Sequence, residues 1–287
     1  MGKNWSKGLT KATDPRVARA SAAHRGMRYK RHMPFKLDGR VGRRVPMTGL
    51  AWSSAMAYAV GLIATDGNIS QSRQAMTLVS GDRALLEVFK RIVPRAGRIG
   101  SHGPNAWHVR VSSVDFCHWL ESVGLSPRKS LTIGGIDVPD EHFFDLARGL
   151  LDGDGSISNM ILNPGGAAKR YPDYRYERIN AVFHSASRTH IEWIRSSMLR
   201  LLGVDTAILA EPQRRPTSRM YTLRYGKHAT LKILGRPYAD PSSPCLDRKR
   251  RIWVAYMSKP PLNSMHTGRS GVTVASMDSR SIGPQGP

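Results

Sequence analysis

One segment of this chain occurs twice. Gly61-Leu62-Ile63-Ala64-Thr65-Asp66-Gly67-Asn68-Ile69-Ser70 aligns with Gly149-Leu150-Leu151-Asp152-Gly153-Asp154-Gly155-Ser156-Ile157-Ser158. Three further matches follow in the same order. Ser80-Gly81-Asp82-Arg83, ahead of an apolar run from Leu85 to Val93, aligns with Ser185-Ala186-Ser187-Arg188, ahead of Ile191 to Leu202. Trp107-His108-Val109-Arg110-Val111 aligns with Tyr221-Thr222-Leu223-Arg224-Tyr225, and Arg128-Lys129-Ser130 with Arg248-Lys249-Arg250. Matches kept in order define two copies of one supersecondary unit, which buries its apolar face against its twin. The second copy is longer, mainly through a Gly- and Pro-bearing insertion at about 161–174.

Each copy reads α-β-β-α-β-β-α. Residues 50–66 are apolar and free of Pro and Gly except Gly61, which predicts a helix. Asp66-Gly67 is its expected stop, with the glycine at C′. Strand-like stretches at 68–73 and 75–80 follow, and Asp82 opens a helix to Ile92, closed by Pro94. Arg98 to His102, a Gly-Pro-Asn turn and Trp107 to Val111 read as a hairpin. Strand alternation puts Trp107, Val109 and Val111 on one face and His108 and Arg110 on the other. In the second copy Tyr221, Leu223 and Tyr225 oppose Thr222 and Arg224. The expected fold is α+β: two pseudo-symmetric αββαββα halves, each with an antiparallel sheet, packed through helices 50–66 and 141–154. The expected organisation is a basic arm at 1–48, halves at 49–136 and 137–257, and a disordered tail at 258–287.

Charge narrows the partner. Lys and Arg number 44 against 21 Asp and Glu, a formal net charge of +23. Such a balance points to nucleic acid, with an anionic membrane surface as the competitor. The longest apolar run, Leu50 to Ala64, holds Ser53 and Ser54 and stops at Asp66, short of the about 20 residues of a membrane helix. It reads as a buried helix, so no membrane is expected. Residues 1–48 carry 13 Lys and Arg against Asp14 and Asp38, and read as an arm lying along phosphates. Asp14-Pro15 there has the form of a helix N-cap and first turn. Cys117 and Cys245 are far apart and outside any CxxC pattern, which excludes a disulfide framework or a cysteine zinc site. With no apolar N-terminal segment of secretory type, the chain reads as intracellular, not secreted.

Asp66 and Asp154 end the two matching helices in this reading. A carboxylate at a helix C-terminus meets the negative end of the macrodipole, so something positive should compensate. Positions 61 and 65, and 149 and 153, are one turn apart and all small, which lets two helices approach backbone to backbone. Packed so, the two aspartates end side by side as a hard oxygen pair suited to magnesium. A calcium EF-hand at Asp152 fails: its sixth position is Ile157, not Gly, and its twelfth is Asn163, not Glu.

At Ala59–Gly67 (AVGLIATDG) and Ala147–Gly155 (ARGLLDGDG) the sequence resembles the LAGLIDADG homing endonucleases in their single-chain, two-motif form. The resemblance covers about 49–257. It implies that Asp66 and Asp154 bind catalytic Mg2+, that the carbonyls of Thr65 and Gly153 face the metal, and that Lys129 and Lys249 lie near the scissile phosphates. Ser80 and Ser185 match loosely the polar residues that hold catalytic water in that family. Ala64 departs from the motif, where Asp is usual. The implied activity is site-specific hydrolysis of both strands of a long, asymmetric double-stranded DNA target by a monomer with internal pseudo-twofold symmetry. His108, Arg110 and Arg224 are the expected base readers on the outer strand faces. Two other readings share this fold: an RNA-binding intron maturase, whose partner is intron RNA, and a non-cutting DNA-binding regulator.

Overall fold

A computed structural model describes residues 12–16, 18–19, 50–162, 176–210, 219–238 and 240–259. Most of the basic arm, nearly all of the insertion and all but the first two residues of the expected tail lie outside the described residues. The chain divides into two compact units, Met1–Pro46 and Met47–Pro287. Within the first, the Asp14 carboxylate accepts the Arg16 backbone N–H at 2.7 Å, the bond an N-cap makes.

In the second unit, α1 (Ser54–Asp66) starts where Ser53 Oγ accepts the Met56 N–H, and it buries every residue from Met56 to Ile63. The helix passes directly into β1 (Gly67–Ile69). Gly67 is therefore not a left-handed C′ residue, as the motif suggested, but extended at φ −83°, ψ 144°. It must still be glycine, because a Cβ there would lie 2.6 Å from the Ile63 carbonyl oxygen.

β2 (Met76–Ser80), α2 (Arg83–Ile92), β3 (Gly100–Ser101), β4 (Trp107–Val111) and α3 (Val114–Ser122) complete the first half. β1 is shorter than the expected 68–73 strand. Ser70 Oγ takes the N–H groups of Gln74 and Ala75, and Arg73 is left-handed at φ 53°, so the chain turns there. A 3-10 turn at Lys129–Leu131 and a linker lead to α4 (Phe143–Asp152). The linker is held against the second half: Ser187 Oγ donates to the Ile133 carbonyl at 2.5 Å, and His190 Nδ1 lies 2.7 Å from the Gly134 carbonyl.

The second half repeats the order with β5 (Ser156–Leu162), β6 (Tyr176–Ser185), α5 (Arg188–Leu202), β7 (Ile208–Ala210), β8 (Tyr221–Tyr225) and α6 (Lys227–Gly235). It then adds α7 (Asp247–Met257). The sheets are antiparallel with equivalent orders, β1-β2-β4-β3 and β5-β6-β8-β7. The fold is thus the α+β pair of αββαββα halves, with α7 added. Sheet alternation follows the sequence except at Thr222, which is buried on the outer face where it meets His184. Leu78, Val109 and Val111 in one sheet, and Phe183, Leu223 and Tyr225 in the other, are buried, while Arg110 and Arg224 are exposed. Cys117 and Cys245 are buried and free. No described helix is long and apolar enough to cross a membrane.

α1 and α4 cross backbone to backbone. A Cβ on Gly61 would lie 2.8 Å from Gly149 Cα, and one on Gly149 would lie 2.9 Å from Gly61 Cα. A Cβ on Gly153 would meet Thr65 Cβ at 2.7 Å and Asp66 Oδ2 at 3.1 Å. The four small positions therefore form the contact between the helices.

Candidate functional site

That contact carries the two aspartates to one place by unequal routes. Asp66 is the last residue of α1 and half-buried. Asp154 does not end α4, contrary to the motif reading. The helix stops at Asp152, and the Gly155 N–H reaches back to the Leu150 carbonyl at 3.1 Å, leaving Asp154 in an exposed turn. The Asp66 carboxyl is pushed up to about 6 by burial and by the charge of Asp154, against the pull of the Thr65 hydroxyl, Lys129 and Lys249. Protein packed around the inner side of Asp154 raises its carboxyl too, against Lys129, His184 and Lys249. Among the described residues neither aspartate has an ion-pair partner within 4 Å.

Lys129 and Lys249 occupy matching positions under this pair. Lys129 Nζ donates to the Gly67 carbonyl at 2.6 Å, just past the end of α1. Lys249 Nζ contacts the carbonyls of Leu151, Asp152 (3.0 Å), Gly153 (3.4 Å) and Gly155 (2.8 Å) at the end of α4. Both side chains are sealed, with the residues only 4% and 3% exposed, and burial pushes each ammonium down to about 8. Each lysine places positive charge on the negative end of a motif helix. Much of the compensation expected from a cation therefore comes from the protein itself. Lys249 is surrounded by helix-end carbonyls, whereas Lys129 makes its contact with the Gly67 carbonyl.

Asp152 is a residue whose part the sequence did not disclose. Its buried carboxylate accepts from Tyr58 Oη (2.9 Å), Tyr238 Oη (2.8 Å) and the Leu246 backbone N–H (2.7 Å). Leu246 is the N-cap of α7, which carries Lys249. Asp152 thus ties α4, α1 and α7 together, and its counterpart in the first motif is Ala64. Replacing it with Ala leaves one amide and two hydroxyls unpaired in the core, at about 1–3 kcal/mol each before any repair by water. Asp152→Ala is expected to lower stability by roughly 3–5 kcal/mol in denaturant titration. A change under about 1 kcal/mol would show that the knot is incidental.

The remaining expected residues sit as follows. Arg110 and Arg224 project from the outer faces of β4 and β8. His108 shares the face of Arg110 but is half-buried, packed on Gly100 and 5.7 Å from the His102 ring, with Nδ1 buried and unpartnered. Ser80 Oγ accepts the Asp82 N–H (3.0 Å) and Ser185 Oγ accepts the Ser187 N–H (3.1 Å), so both serve turns. A cleft of about 640 Å³ opens beside Asp66, lined among others by Asp82, Arg83, Trp107, Gly153 and Arg248. Arg248 Nε stands 3.4 Å from Asp82 Oδ2, spanning the halves.

The donor set fits a hard divalent cation. Two carboxylates whose charge is unfavourable without a counter-ion adjoin the carbonyl-bearing residues Thr65 and Gly153. Among the described residues no three carboxylate, imidazole or thiolate groups converge on one point. Two protein carboxylates with the rest of the shell left to other oxygens is the pattern of a hard divalent cation rather than of zinc.

No protein-family model and no curated protein matches the chain. Solved structures with a similar chain path include I-DmoI in complex with DNA and Ca, at 14% identity and a TM-score of 0.48, covering 70% of this chain and 97% of that one. The I-LtrWI LAGLIDADG homing endonuclease bound to target DNA matches at 12% identity and a TM-score of 0.43, over 71% of this chain and 88% of that one. Full-length DUF199/WhiA from Thermatoga maritima matches at 13% identity and a TM-score of 0.43, over 77% of this chain. This chain spans 66% of that protein's length.

Proposed function

We propose that this protein is a Mg2+-dependent, site-specific endonuclease that hydrolyses both strands of a long, asymmetric double-stranded DNA target, in the manner of the homing endonucleases. The observation that carries this reading is the aspartate pair at the junction of two halves, flanked by outer sheet faces bearing Arg110 and Arg224. Phosphodiester hydrolysis needs positive charge at the crowded phosphate and an oriented water. Asp66 and Asp154, with the Thr65 and Gly153 carbonyls, would hold the cation, which supplies Lewis-acid charge at the scissile phosphate. Lys129 and Lys249 add a fixed positive field beneath it. His108, Arg110 and Arg224 would meet base edges in the major groove, and the arm at 1–48 would add phosphate contacts. The protein acts as a monomer, since each half already meets its counterpart.

The test begins with a pool of randomised duplex DNA from which bound sequences are selected in Ca2+. The selected duplex should then be cut on both strands when Mg2+ is added. Its affinity should fall steeply with salt, at a slope of about −0.9 per phosphate neutralised. Selection of a defined duplex that Mg2+ never cleaves would favour a non-cutting regulator. Selection of no DNA, with tight binding of structured RNA, would favour a maturase.

A further inference from the structure

The two halves are not equivalent around their aspartates. In the first sheet β1 and β2 pair Gly67 with Leu78, so Val79 is the next residue of β2 beyond the pair at the end of α1. In the second, Ser156 pairs with Val182, and His184 lies two residues further along β6, at the end where Asp154 precedes β5. Position 79 in one half is a hydrocarbon, and position 184 in the other is an imidazole.

His184 is also held. It pairs across the sheet with Thr222, on the outer face with Arg224, and its Nδ1 lies 2.9 Å from Thr222 Oγ1. With Nδ1 engaged, Nε2 is the nitrogen left to meet a substrate. The ring lies close enough to Asp154 to counter part of the upward push on that carboxyl. Among the described residues His184 does not complete a three-residue metal set with the two aspartates, so it is not proposed as a metal ligand. The first half has its own histidine in the matching cross-strand pair, but on the other strand. There His108 pairs with Val79 and packs on Gly100.

We propose that His184 is a catalytic residue for one DNA strand only. Its imidazole hydrogen-bonds the scissile phosphate on the Asp154 side, and Val79 leaves the Asp66 side without such a group. This rests on the nuclease reading above. The consequence is a built-in inequality: the strand lying over Asp154 has one more hydrogen-bond donor in its transition state than the strand over Asp66.

The experiment uses the full chain and a duplex selected from the randomised pool, with each strand labelled separately and cleavage started by Mg2+. His184→Ala should slow one strand by roughly 10²-fold, the size of a lost transition-state donor, while the other strand changes less than about threefold and nicked duplex accumulates. Affinity in Ca2+ should hold. His184→Gln, which keeps an amide N–H near the Nε2 position, should recover part of the lost rate on the same strand. Thr222→Val, which frees the imidazole without removing it, should slow that strand alone and by less. Equal slowing of both strands, or a loss of Ca2+-stage affinity that accounts for the rate, overturns the assignment while leaving the nuclease reading in place. Failure of the unsubstituted protein to cut its selected duplex overturns both.

Discussion

Asp66→Asn is expected to abolish cleavage of both strands, by about 10³-fold or more, and Asp154→Asn is expected to do the same. The reason is position. Each carboxylate sits where the two halves meet, so in the proposed reading removing either would withdraw a ligand from a centre that serves both strands. DNA binding in Ca2+ should change far less, because the sheet faces and their arginines are untouched. The same substitution should act in the opposite sense on stability. The folded Asp66 carboxyl stands at about 6, above its ordinary value of 3.8, so its ionised form is disfavoured by folding. The stability it allows is full below about pH 4 and declines as pH rises through about 6. At pH 7 and without metal, Asp66→Asn should therefore stabilise the protein, by on the order of 2–3 kcal/mol. Protons and cation compete for this carboxylate, so affinity for Mg2+ or Ca2+ should weaken about tenfold per pH unit below about pH 6 and level off above it. Thermal melts with and without Ca2+ between pH 5 and 8 read both effects. A variant that cleanly nicks one strand would show that the aspartates serve separate centres.

Gly149→Ala is expected to cost at least about 3 kcal/mol and to prevent folding at 37 °C, a penalty at or above the top of the usual range for core overpacking. The added methyl would strike the Tyr58 carbonyl and lie 2.9 Å from Gly61 Cα. Those are backbone atoms of a buried helix, so no rotamer change relieves the contact. The helices must move apart, and with them the aspartates. Gly235→Ala is the matched control. It is also helical but has nothing within 4 Å of its built Cβ, and it should be neutral or stabilise by up to about 1 kcal/mol, as Gly→Ala does in a helix. Equilibrium unfolding of the two variants checks the contrast. A Gly149→Ala protein as stable as its parent would mean that α1 and α4 do not cross where the glycines are.

The repeat made the architecture legible because two matching segments constrain each other more than one segment constrains itself. Gly61, Thr65, Gly149 and Gly153 could be placed at the crossing from size and spacing alone. What could not be read was anything resting on a bond across the fold. Asp152 looks like one more motif carboxylate until Tyr58, 94 residues away, donates to it. Lys129 and Lys249 align as a repeated pair, yet only the folded chain shows them buried on helix-end carbonyls. His184 was passed over because it comes near Asp154 only across the fold, at the irregular turn that precedes β5. The end of α4 was misplaced for a related reason. Helix periodicity continues through Asp154 in the sequence, while the Gly155 N–H closes the helix two residues earlier.

The Asp152 knot also bears on ancestry. A symmetric pair of identical half-chains would need every partner on both sides of its axis. Here the donor Tyr58 belongs to the first half and the acceptor Asp152 to the second. The residue matching Tyr58 in the second motif is Leu146, and the residue matching Asp152 in the first is Ala64. Two copies of the first half would bring a pair of tyrosine hydroxyls to the axis with no carboxylate to receive them. Two copies of the second would bring buried carboxylates with no tyrosine from across the axis. Two second halves would keep the Tyr238 and Leu246 donors on each carboxylate but lose the bond that joins the halves, so this contact works only between unlike partners.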